Sequence, residues 1–238
     1  MEISNRKVLI TGGSAGIGRQ LAIDLTERGA AVLVCGRSPE RLDTLRAEHP
    51  NIGTFVCDVR DYESVVRLRE FATQSIGVPE VLFNNAAIFR RFDINATEHS
   101  IDLWLDEVDI NLMGTLRVTH AFLPLMKNLP EATILNLTSP SAYIPLASAP
   151  VYSATKASLH SWTQSLRHQL RGSPVRVLEL NPPAVDTQMN QNNPDVEGLK
   201  LWSVEAFSRH VITELERSGS KDILVGDAKL VRRMSRVA

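Results

Sequence analysis

Lys7-Val-Leu-Ile10-Thr11-Gly12-Gly-Ser14-Ala-Gly16-Ile17-Gly18 is the stretch on which the reading of this chain turns. Residues 7–10 form a short apolar run, the pattern of a buried strand. Residues 17–28 place Ile17, Leu21, Ala22 and Leu25 on one helical face, and Gly29 follows as a stop. Between strand and helix, Gly12, Gly16 and Gly18 fall in the order G-x-x-x-G-x-G. A chain leaving a strand here must turn sharply, come close to a ligand and pack a helix against the sheet. Side chains obstruct each step. The helix start offers free N–H groups and a partial positive charge, a seat for a pyrophosphate. The spacing alone is weak. Its place between a first strand and a helix makes a dinucleotide turn the better reading than a structural glycine loop.

Outward from this turn the same alternation repeats. Apolar runs at 31–35, 54–57, 81–83, 132–137, 175–180 and 223–225 alternate with helical patterns from 39, at 61–75, 99–127, 151–171 and 204–217. Ser38 with Pro39 reads as a helix start. Strands separated by helices of this length pair in parallel, and right-handed crossovers cover both faces. The expectation is an α/β fold of Rossmann type: a doubly wound, seven-stranded, mostly parallel sheet in a single domain over 1–238. The polar stretch at about 187–203 reads as a substrate loop.

Composition excludes several function classes. The chain has 238 residues and a formal net charge of −1, so no basic face points to nucleic acid. No apolar run reaches the ~18 residues of a membrane span, and the N-terminal run is too short for a signal peptide. The two cysteines, Cys35 and Cys57, suit a reducing, cytoplasmic setting, and no histidines or cysteines have metal-ligand spacing. The basic tail with Lys229, Arg232, Arg233 and Arg236 reads as a solvated end.

The chemistry is carried by Tyr152-Ser-Ala-Thr-Lys156. Residues four apart on a helix share a face, so both side chains reach one site. An ammonium ~4 Å from a phenol is worth ~4 kcal/mol at an effective dielectric of 20. That lowers the tyrosine pKa from ~10 by up to about three units, into the range of efficient acid–base catalysis. Ser139 lies thirteen positions earlier, at the end of a strand, with Thr138 and Ser141 as competitors.

The glycine spacing and the Tyr152–Lys156 pair together resemble the short-chain dehydrogenase/reductase family, over nearly the whole chain. That resemblance implies an oxidoreductase that moves a hydride between NAD(P)(H) and a carbonyl or secondary alcohol. It implies catalytic roles for Ser139, Tyr152, Lys156 and Asn111, the last holding a water linked to the lysine. It also implies cofactor contacts from Gly12, Ser14, Gly16, Ile17, Gly18, Asp58, Val59, Asn84, Ala86, Tyr152, Lys156, Pro182, Val185 and Thr187. Asp58 would hold the adenine amino group. Beyond the second strand, Gly36 stands where NAD-binding relatives carry an aspartate, and Arg37 and Ser38 follow. A guanidinium there pairs with a 2′-phosphate, so NADP(H) is the expected cofactor.

The chain departs from the family at Ala87 and Pro183, where glycines are usual. Proline removes a donor and positive φ, so that turn is expected to be stiffer. The run Pro182-Pro183-Ala-Val185-Asp-Thr187 resembles a branch found beside teichoic-acid D-alanylation genes, which says little about substrate. Pro140, Tyr143, Ile144, Met189 and Trp202, with Phe89 and Leu146, read as a substrate pocket for a small to medium hydrophobic molecule. Arg90 and Arg91 read as solvated loop charge, or as a greeting for an anionic substrate. The helical faces of Leu105, Val108, Leu112, Trp162 and Leu166 read as core or as a homodimer or homotetramer interface. The alternative function is a non-catalytic NADP-binding sensor on the same fold.

Overall fold

The structure, a computed structural model, describes residues 2–95, 100–191, 193–217, 222–226 and 228–234. Its strands are β1 (Lys7–Thr11), β2 (Ala31–Gly36), β3 (Gly53–Val56), β4 (Val81–Asn84), β5 (Ala132–Leu137), β6 (Val175–Asn181) and β7 (Asp222–Leu224). They form one sheet in the order β3-β2-β1-β4-β5-β6-β7. Every pairing is parallel. The helices are α1 (Gly16–Glu27), α2 (Pro39–Glu48), α3 (Tyr62–Ser75), α4 (Ile101–Val108), α5 (Thr115–Met126), α6 (Pro150–Gln169), α7 (Val204–Glu216) and α8 (Ala228–Met234).

Period-two alternation sorts the strand side chains between two cores. Val8, Ile10, Val32 and Val34 face one side, with Leu21 and Leu25 of α1 and Phe207 and Val211 of α7. Leu9, Leu33 and Cys35 face the other, with Leu68 of α3 and Val118 and Phe122 of α5. Parallel strands buried on both faces are continuous in apolar character, as the sequence runs are.

Side-chain caps start several helices. Ser38 accepts from the Arg41 N–H, Asp61 from Glu63 and Ser64, Ser100 from Asp102 and Ser203 from Ala206. The helix expected over 99–127 is instead two helices joined by a π-helical turn, Asp109–Gly114. Asn111 faces inward on this turn, and Gly114 packs so closely that a Cβ would meet Val59 at 2.6 Å. His99 lies outside the described residues. The basic tail is no solvated end throughout, because Arg232 on α8 pairs with Asp222 at 2.5 Å. Arg236 lies outside the described residues, as does the side chain of Arg233.

Buried polar groups tie the central strands to the helices. Asn84 Nδ2 donates to Thr119 Oγ1 at 3.0 Å and to Asn136 Oδ1 at 2.8 Å, and Asn136 Nδ2 donates to Thr163 Oγ1 at 3.0 Å. All four residues are buried. Asn136→Ala takes the acceptor from one Asn84 N–H and the donor from Thr163 Oγ1, both out of reach of water, and is expected to cost about 1–3 kcal/mol. A lowered denaturant midpoint at unchanged slope would show it; an unchanged midpoint would contradict it.

Candidate active site

The strand order reverses between β1 and β4, and the crevice beyond the carboxyl ends there is where open α/β sheets take ligands. The glycine turn lies in it. Gly12 has φ +66°, and a Cβ on it would stand 2.8 Å from Ala86 Cα. Gly18 does not line the cleft. It is buried beneath the turn, where a Cβ would meet Asn85 Nδ2 at 2.5 Å. Asn85 was not singled out from the sequence, yet its amide donates to the carbonyls of Thr11 at 2.9 Å and Gly12 at 3.1 Å and so holds the turn. The residue ahead of α1 is Ala15, and no side chain caps this helix. Its first N–H groups open onto the cleft between Gly12, Ser14 and Gly16, a cradle suited to an anion.

At the far end Gly36, Arg37, Ser38 and Arg41 line the same cleft. The Ser38 hydroxyl is already engaged, accepting from the Arg41 N–H at 3.2 Å and donating to Glu40 at 2.8 Å, so it is not the free donor expected. Arg41 is an addition to the sequence reading; its place four residues beyond Arg37 was the available signal. Two expected residues point elsewhere. Asp58 is gripped by Arg60 at 2.6 Å and does not line the cleft, whereas Val59 does. The Arg60 guanidinium beside it holds the Asp58 carboxyl below the usual range, although burial acts the other way. Asn84 is committed to the buried network between β4 and β5.

Ser139, Tyr152 and Lys156 meet in the middle of the cleft. Ser139 Oγ accepts from Ser141 N at 3.2 Å and from Ser141 Oγ at 2.9 Å, which leaves its own proton for Tyr152. Both competitors are thereby placed: Ser141 orients Ser139, and Thr138 donates to Glu179 at 2.8 Å. Tyr152 is buried, with the Phe89 ring edge-on at 4.8 Å. Lys156 Nζ donates to the Leu137 carbonyl at 2.8 Å and stands 5.5 Å from the Tyr152 ring centre. Burial pushes the phenol up to about 12, and the Ser139 hydroxyl pulls against it. Burial also pulls Lys156 down to about 8. The expected lowering of the phenol is therefore not found: desolvation sets the direction of its shift, and the Lys156 ammonium is directed at the Leu137 carbonyl. The Asn111 side chain bonds both polar groups of Ile88, at 2.8 and 2.9 Å, and Thr155 at 3.3 Å, so its amide fixes the extended segment after β4.

A family model described as short chain dehydrogenase matches residues 6–198. The chain belongs to the short-chain dehydrogenase family. The oxidoreductase DltE of Bacillus subtilis (strain 168) is 44% identical over 206 residues, covering 87% of this chain and 82% of that protein. An oxidoreductase of Staphylococcus aureus (strain USA300) is 31% identical over 227 residues, covering 94% of this chain and 97% of its own length. Among solved structures, a short chain dehydrogenase from Burkholderia cenocepacia in complex with NADP superposes with TM-score 0.84 at 27% identity, over 99% of this chain and 93% of that one. The branch resemblance read from the Pro182–Thr187 run agrees with the DltE match.

Within this short-chain dehydrogenase the remaining wall is mostly apolar. Ile17, Ala86, Phe89, Pro140, Ile144, Leu146, Met189 and Trp202 line the cleft, with Pro182, Val185 and Thr187 at its β6 edge. Tyr143 does not. Its hydroxyl donates to the wholly buried Glu179 at 2.9 Å, and its ring lies edge-on to His160, turned away from the cleft. The loop over 187–203 is pinned at several points. Trp202 N donates to the Ala184 carbonyl at 2.9 Å, and Asp195 accepts from Ser148 at 2.6 Å and pairs with Arg91. Arg90 pairs with Asp106 at 2.5 Å. Neither arginine is solvated loop charge or a free anion site.

Among the described residues no helix is long and apolar enough to cross a membrane. No cluster of histidine, cysteine and acidic groups able to hold a metal occurs among them either.

Proposed function

We propose that this chain is an NADP(H)-dependent oxidoreductase acting on a carbonyl or secondary alcohol of a small to medium, largely apolar substrate. The observation that carries the reading is the convergence of Ser139, Tyr152 and Lys156 in the same cleft, of about 770 Å³, as the uncapped start of α1. The residues fit the cofactor. Gly12 and Gly16 leave room for backbone to approach a pyrophosphate, and the free N–H groups of α1 neutralise it. No carboxylate stands at the end of β2, and Arg37 and Arg41 offer two cations to a 2′-phosphate. Val185 and Thr187, which line the cleft at the β6 edge, would meet the nicotinamide carboxamide.

When bound, the nicotinamide supplies or accepts the hydride at the substrate carbon. The chain does the rest. Ser139 holds the substrate oxygen, and Tyr152 gives or takes the proton there. Lys156 holds the nicotinamide ribose hydroxyls and carries positive charge beside the phenol. The apolar wall of Phe89, Ile144, Leu146 and Met189 excludes water from the reacting carbon.

The test is NADPH and NADH oxidation with a panel of apolar ketones and aldehydes. Turnover with NADPH preferred over NADH is expected. Tight NADPH binding with no turnover across the panel would favour a non-catalytic NADP-binding protein. We also infer a cytoplasmic homo-oligomer. Ile101, Leu103 and Leu105 of α4 and Met113 of the π turn are exposed together, whereas Leu166 is buried within the subunit. A monomer in sedimentation at micromolar concentration would contradict the oligomer.

A further inference from the structure

Glu107 on α4 and Asn111 on the π turn lie four residues apart and reach the same extended segment. Asn111 bonds both polar groups of Ile88, and Glu107 Oε1 accepts from the Arg90 N–H at 3.0 Å. Phe89 lies between these two grips, and its ring meets Tyr152. Glu107 has no exposed surface, and its second oxygen, Oε2, is buried without a hydrogen-bond partner among the described residues. A carboxyl held in this way is an unusual expense unless it has a use.

The charged and titratable groups that bear on Glu107 come from three elements. Arg90 lies on the extended segment, Asp106 on α4 itself, and Lys156 and Tyr152 on α6. The Arg90 guanidinium is committed to Asp106 at 2.5 Å and to the Leu103 carbonyl at 3.0 Å. Among the described residues Lys156 Nζ bonds a neutral carbonyl, and Glu107 is the acid whose charge supports its ammonium.

We propose that Glu107 is a positioning residue for the Tyr152–Lys156 pair: a buried carboxyl that releases its proton so that Lys156 retains its own. This rests on the reading of Tyr152 and Lys156 as the acid–base pair. Burial pushes Glu107 up to about 7 and pulls Lys156 down to about 8. As pH rises through this range, Glu107 ionises beside the lysine. Its negative charge then opposes loss of the lysine proton, and the two groups titrate as a unit. The same carboxyl clamps the segment that carries Phe89, so charge and geometry are adjusted at one place.

The test is Glu107→Gln, whose amide oxygen still accepts from the Arg90 N–H while the titrating group is gone. The first arm uses the chain without cofactor or substrate. A carboxyl whose folded value lies above its unfolded one binds more protons when folded. Stability then falls as pH rises from the unfolded value of 4.5 to the folded value of about 7. The unfolding midpoint of the wild type is therefore expected to drop relative to Glu107→Gln across that window; parallel curves overturn the proposal. The second arm follows kcat/KM with NADPH and a carbonyl that the wild type reduces. The alkaline limb is expected to move to lower pH by about one unit in Glu107→Gln, the low end for losing a nearby opposite charge. An unchanged limb overturns the proposal and leaves the catalytic reading intact. A wild type without turnover overturns the catalytic reading, and with it the role toward the pair. If Glu107→Gln does not fold, infrared spectroscopy of the wild type with labelled glutamate decides. A protonated glutamate that ionises near pH 7 supports the proposal, and its absence overturns it.

Discussion

Tyr152→Phe is expected to lower turnover by about 10²- to 10⁴-fold, the contribution typical of a positioned acid–base group. NADPH binding should stay close to that of the wild type. Tyr152 is 8% exposed, and its ring packs edge-on with Phe89, so phenylalanine keeps the shape and the contact. What disappears is the hydroxyl, the group that meets Ser139 and the proposed donor to the substrate oxygen. The change also removes the hydrogen bond with Ser139, so stability should fall by no more than about 1.5 kcal/mol. Steady-state turnover together with a fluorescence titration of NADPH separates the effects. Retention of most of the activity would contradict the role given to Tyr152, and a parallel loss of NADPH affinity would point to a binding role instead.

Arg37→Ala is expected to raise the KM for NADPH by roughly ten- to a hundredfold, the scale for losing one charged hydrogen-bond donor. The KM for NADH should change little. Arg37 lies at the end of β2 on the cleft wall, with Gly36 before it and Arg41 beyond. Gly36 itself supplies no carboxylate that would select a free 2′-hydroxyl. Arg41 remains in the single variant and should soften the loss; the double variant with Arg41→Ala should lose more. Equal effects on NADPH and NADH would remove the NADP assignment.

Much of the frame was legible because its causes are local. The strand runs end within a residue or two of where the structure ends them, and Ser38 and Asp61 cap the helices they precede. Failures fall where a distant partner decides. Asp58, Asn84, Tyr143, Arg90 and Arg91 were read by their neighbours in the chain. Their directions are set by Arg60, Asn136, Glu179, Asp106 and Asp195 respectively. Except for Arg60, each partner lies on another element or loop, so spacing along the chain carried no sign of it. The helix over 99–127 looked continuous because its apolar period is; the π turn depends on what Asn111 and Gly114 pack against.

By itself, then, the amino-acid order determined the β–α alternation, the glycine turn after β1 and the placing of Tyr152 and Lys156 on one helical face, because each follows from backbone geometry over a few residues. Only the tertiary structure decided which polar groups have partners. It left the start of α1 uncapped, turned Tyr143 away from the cleft and buried Glu107, Tyr152 and Lys156 together. Proton equilibria depend on desolvation and on charges brought from other segments, and these exist only once the chain has packed.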